Sequence, residues 1–135
     1  MHGSMSFYEV TSLILERLDA LNNYWSLYIG VLTVIGATLA LGAAQLRART
    51  LRLAVCLGFV GFAAVNIGAI LQQLAIRRDL IQFLEAHYAK SIDVIENAYP
   101  HPTWVYVLVH GLFDLLVVVS IWKVGSSARA QEARS

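Results

Sequence analysis

Asp114 and His110 are the residues of this chain whose type and spacing could do chemistry. Both lie inside residues 104–122, a run whose remaining side chains are almost all apolar. A carboxylate near the centre of a bilayer costs roughly 2.5–3.5 kcal/mol on insertion scales, so such groups face a partner or a water-filled cavity. Four residues is one helical turn, which stacks His110 against Asp114 on one face. An acid and an imidazole in that position can exchange a proton, and Asn or Gln side chains can extend the chain of hydrogen bonds. Asn66, Gln73 and Thr33 stand at suitable depths in the other apolar runs. The same five residues would equally serve as packing glue between helices, a role worth about 0.6 kcal/mol per contact.

The elements that must position these residues are transmembrane helices. Hydrophobic residues make up 58% of the 135 and charged residues 14%. Typical soluble domains hold roughly 45–50% and about 25%, so lipid must cover much of this surface. Residues 24–46, 53–76 and 104–122 are free of charge except for Asp114, and each is long enough to cross about 30 Å of hydrocarbon as a helix. The expected fold class is therefore all-α, an integral membrane protein with three transmembrane helices. Residues 1–4, before the second methionine Met5, read as a cloning remnant. Residues 24–124 form the membrane domain and 125–135 a polar tail.

Two further amphipathic helices are expected. Ser6 and Glu9 fit a capping box, and Phe7, Val10, Ile14, Leu18 and Leu21 continue as an apolar stripe across residues 5–23. A second stripe runs through Ile81, Leu84, Tyr88, Ile92 and Ile95, giving an outer helix over about 79–98. A straight extension of the second span to residue 98 would end too high for residues 100–103 to reach back. The segment is thus expected to bend near Arg77 and Arg78, to lie along the interface or to fold back as a short hairpin, and an interfacial helix is the simplest of these.

Charge sets the expected orientation. Arg47, Arg49 and Arg52 crowd the turn between the first two spans, and six Lys/Arg fall on that side against four on the other. The positive-inside rule then puts the turn and C-terminus in the cytoplasm and the N-terminus outside. A bacterial inner membrane is the expected location. Gly36 and Ala40 in the first span, and Gly58, Gly61 and Gly68 in the second, predict a tight hairpin through small-residue contacts.

Other classes fare poorly. Net charge is +1 without a basic stripe, which speaks against nucleic acid. The single Cys56 excludes an intramolecular disulfide, and no metal site is expected from His87 or His101, whose neighbours lack ligand spacing. His110 is the only histidine in a span, so haem would need a second copy, and no cofactor is expected. No phosphate loop, nucleophile elbow or zinc helix is present, and no enzymatic activity is expected.

The pattern points first to a homo-oligomeric proton or ion pathway, or a small transporter, around Asp114 and His110. Three helices enclose little space, so several copies would be needed. The alternative is a non-transporting interaction, accessory or immunity-type subunit whose outer cap meets a protein partner. The two readings differ on Asp114: a conduit places it on a cavity or oligomer face, whereas an interaction subunit buries it with its bonds satisfied.

Overall fold

A computed structural model describes residues 5–41, 46, 48–88 and 100–132. These form three helices in antiparallel succession: α1 Phe7–Leu41, α2 Arg49–His87 and α3 Thr103–Glu132. All three are long and apolar enough to cross a membrane, and no strand occurs among the described residues. These are the helices of a membrane protein.

Among the described residues, the two separate amphipathic helices expected from the sequence are not seen. The stripe of residues 7–21 and the Ile81 and Leu84 part of the second are instead the ends of α1 and α2, which run unbroken through Asn22–Asn23 and through Arg77–Arg78. Neither junction contains proline or glycine, and breaking a helix there would strand backbone groups beside the apolar phase. A bend near Arg77 and Arg78, one of the three expected solutions, is also unnecessary. Because α2 ends at His87, about 15 residues remain before α3, enough to reach roughly 50 Å. The rest of the expected outer helix, residues 89–98, lies outside the described residues, as do residues 42–45 of the first span.

At 1.5 Å per residue, α1 is about 52 Å long and α2 about 58 Å, against about 30 Å of hydrocarbon. The excess lies at one end, where the helices cover each other. Val10 and Ile14 of α1 pack with Ile81 and Leu84 of α2, and Phe7 meets Tyr88 edge to face. Burial of these four residues, with Phe7, Leu80, Phe83 and Tyr88 packed against them, supplies the driving force for pairing there. The capping box holds the free end of α1: the Ser6 amide and hydroxyl donate to the Glu9 carboxylate at 2.7 and 2.8 Å.

Further along, the register is set by large side chains. Leu21 packs with Ile70 and Leu74, and Tyr28 with Phe59 and Ala63. This corrects the small-residue hairpin. A Cβ added to Gly36, Gly58, Gly61 or Gly68 would meet nothing within 4 Å, and Ala40 is exposed. Tyr28 and Phe59 pack across the α1–α2 interface together with the small Ala63. The third helix is fixed at both ends by arginines of α2. Arg78 donates to the Thr103 hydroxyl, and Arg52 to Ser126 and to the Trp122 carbonyl.

Two outcomes follow from this packing. Ile81→Asp should raise amide exchange in residues 7–15 and 79–87 while leaving residues 55–70 and 105–120 protected. Equal change along all three helices would contradict an independently paired end. The Ser6 bonds also hold the Glu9 carboxyl below its ordinary range. A depressed carboxyl stabilises its folded form above its unfolded value and loses that contribution as pH falls through the lowered one. Fraying of the first turn of α1, read by amide exchange, should therefore begin only below the usual carboxylate range.

Candidate functional site

The polar residues converge where the three helices cross. On α3, His110 and Asp114 are one turn apart, and His110 Nδ1 lies 2.9 Å from Asp114 Oδ2. The antiparallel register of α2 brings Asn66 to the other side of the ring, with Oδ1 3.2 Å from His110 Nε2. The Asn66 amide donates to the Tyr24 carbonyl of α1 at 3.1 Å. From the same helix, one turn on, the Tyr28 hydroxyl donates to Asp114 Oδ1 at 2.7 Å and lies 3.3 Å from the His110 carbonyl. The Tyr28 ring stacks on the imidazole, with centroids 3.9 Å apart at 29°. Tyr28 is 0%, His110 1% and Asn66 3% exposed, whereas the Asp114 side chain keeps 25%.

The bonds fix where the protons are. A carbonyl can only accept, so the Asn66 NH2 must face Tyr24 and its oxygen must face His110. Nε2 therefore carries a proton and donates it. Tyr28 donates to one oxygen of Asp114. One proton is left for the bond between Nδ1 and Oδ2, on nitrogen as an ion pair or on oxygen as two neutral groups. The His110–Asp114 unit has zero net charge either way. That neutrality is what permits a carboxylate in an apolar span.

Not every expected residue joins this network. Asp114, His110 and Asn66 meet as the spacing predicted. Thr33 does not: it is exposed and its hydroxyl donates to the Ile29 carbonyl of its own helix at 2.8 Å. Gln73 lies seven residues from Asn66, about 10 Å along α2, and its Oε1 is buried with no hydrogen-bond partner. The residue that sequence reasoning missed is Tyr28. Continuing the apolar stripe of Ile14, Leu18 and Leu21 by steps of three and four leads through Tyr24 and Tyr28. A tyrosine buried on such a stripe needs a partner for its hydroxyl.

Both nitrogens of His110 are engaged, so neither is free to ligate a haem iron or another metal in this arrangement. His87 is exposed, stacked on Phe83 with Nδ1 2.9 Å from that residue's carbonyl, and His101 is also exposed. Among the described residues no three His, Cys, Asp or Glu side chains gather as a metal group. Comparison with protein-family models, curated proteins and solved structures returns no match.

The network predicts a defined cost for losing its middle member. Asn66→Leu leaves the His110 Nε2–H unpaired and removes the second bond to the Tyr24 carbonyl, which keeps its helical partner, and should lower stability by about 1–2 kcal/mol. Unfolding in mixed micelles would measure this; an unchanged midpoint would mean that the bonds to Asn66 carry no stability.

Proposed function

We propose that this chain is a non-transporting membrane interaction or accessory protein whose Asp114–His110–Asn66–Tyr28 network locks three spans together. The observation that carries the reading is closure of the network within one protomer. Both ring nitrogens and both carboxylate oxygens have protein partners, and three of the four side chains are buried. A group that must release protons to a pathway needs a route to water, and here the imidazole is sealed by Tyr28 and Asn66. The paired ends of α1 and α2 are the natural surface for a partner, because Tyr8 and Leu15 remain 81% and 57% exposed on them. In this reading the arginine turn and the C-terminus are cytoplasmic, by the positive-inside rule.

One observation favours the second reading, a homo-oligomeric proton or ion pathway. The quarter of Asp114 left open lies in a span that neighbouring copies could cover, and the glycines of α2 offer a face for close approach. Proteoliposomes separate the two. The lock predicts no proton or cation flux above empty vesicles from the wild type. It also predicts that Asp114→Asn is nearly silent in stability, since an amide keeps the shape and most of the bonds. Asp114→Leu should cost about 1–3 kcal/mol, because the Tyr28 hydroxyl and His110 Nδ1 lose their partner. Wild-type flux that Asp114→Asn abolishes would establish the pathway and overturn the lock as the protein's function.

Orientation is tested separately. With Cys56 replaced, a cysteine at Ala48 should react in intact cells only with membrane-permeant thiol reagents. Labelling by an impermeant reagent would invert the topology.

A further inference from the structure

Arg52 sits at the opposite end of the bundle from the paired helix ends and is 3% exposed. Its guanidinium lies over the Trp122 ring, 5.0 Å from the centroid. Nη1 donates to the Ser126 hydroxyl at 2.9 Å and lies 3.4 Å from the Trp122 carbonyl. The remaining edge, Nε and Nη2, has no partner among the described residues, and Nε is buried. That edge offers two parallel N–H donors, the fork that takes a phosphate or carboxylate in bidentate fashion. Yet residues 46–55 and 118–127 contain no Asp or Glu. The surrounding charges, Arg49 and Lys123, are positive and exposed.

A cavity of about 210 Å³ opens close by, lined by Ile35, Thr38, Leu39, Leu46, Val55 and Ile121. Val55 follows Arg52 by one turn of α2. Leu46 and Gly125 bind the two features together: a Cβ on Gly125 would fall 2.3 Å from Arg52 Cδ and 2.5 Å from the Leu46 carbonyl oxygen. Glycine at 125 is thus what lets the arginine pass between α2 and α3. An apolar cavity of this kind does not hold water, and within a bilayer the matter available to fill it is an acyl chain.

We propose that this end of the bundle binds one anionic phospholipid, with its phosphate on the free edge of Arg52 and an acyl chain in the adjoining cavity. Basic pockets between transmembrane helices on the cytoplasmic side take such headgroups, and a buried unpaired cation is otherwise costly. The proposal rests on the membrane reading and not on the interaction role.

Native mass spectrometry of the purified full chain, with phosphatidylglycerol and phosphatidylcholine added in equal amounts, tests it. The expected result is one retained phosphatidylglycerol per protomer, preferred by about fivefold or more, the weight of one cationic contact to an anionic lipid. Arg52→Gln should erase the preference. Arg52→Lys, which keeps the charge but not the fork, should reduce it and guards against a folding failure in the first variant. Val55→Trp, filling the cavity, should lower retention while Arg52 is intact. Equal retention of the two lipids would overturn the proposal, as would a preference unmoved by both Arg52→Lys and Val55→Trp. Thermal stabilisation by inorganic phosphate matching that by phosphatidylglycerol would identify a free-anion site instead and also overturn it. A proton flux through Asp114 would overturn the lock yet leave these results unchanged.

Discussion

A carboxylate placed in the middle of an apolar helix has to be neutralised within hydrogen-bonding distance, and this requirement organises the bundle. His110, one turn away, provides the neutralising group through a bond of 2.9 Å. The imidazole then needs a second acceptor for its far nitrogen, which only another helix can bring. Asn66 of α2 fills that place and hands its own donor to the backbone of α1. Tyr28 returns from α1 to the carboxylate. Each span thus contributes to one closed ring of donors and acceptors, and sliding any helix by a turn would leave buried groups unpaired. The apolar contacts around it, such as Tyr28 with Phe59 and Ala63, give little net driving force in lipid. In them shape matters more than energy.

Away from the bilayer centre, different physics takes over at each end. Where α1 and α2 outrun the hydrocarbon, water restores the hydrophobic effect, and Val10, Ile14, Ile81 and Leu84 pair as in a soluble coiled hairpin. At the other end two arginine bonds and a cation–π contact hold α2 to α3. Here Gly125 is needed for close approach, whereas the described glycines within the spans face open space.

Three apolar helices and the Asp114–His110–Asn66 association were legible in the sequence, because hydropathy and the four-residue repeat are local properties. What the sequence concealed depends on partners. A polar stripe beside an apolar run reads as a separate interfacial helix when considered alone. Pairing with another such stripe lets both continue straight, as at Arg77 and Arg78. Glycine spacing likewise suggested contact, yet it records only where contact is sterically allowed. Tyr28 escaped notice because a tyrosine in a span is ordinary until its register against His110 is known.

Nitrogen-15 NMR of the His110 ring in lipid bilayers tests the central claim, that the network is closed and its His–Asp unit neutral. The account predicts an Nε2 that is protonated, couples to its own hydrogen and exchanges slowly with water, next to an Nδ1 in a strong hydrogen bond. An Nε2 showing the signal of a free lone pair, or exchanging rapidly with solvent, would contradict it.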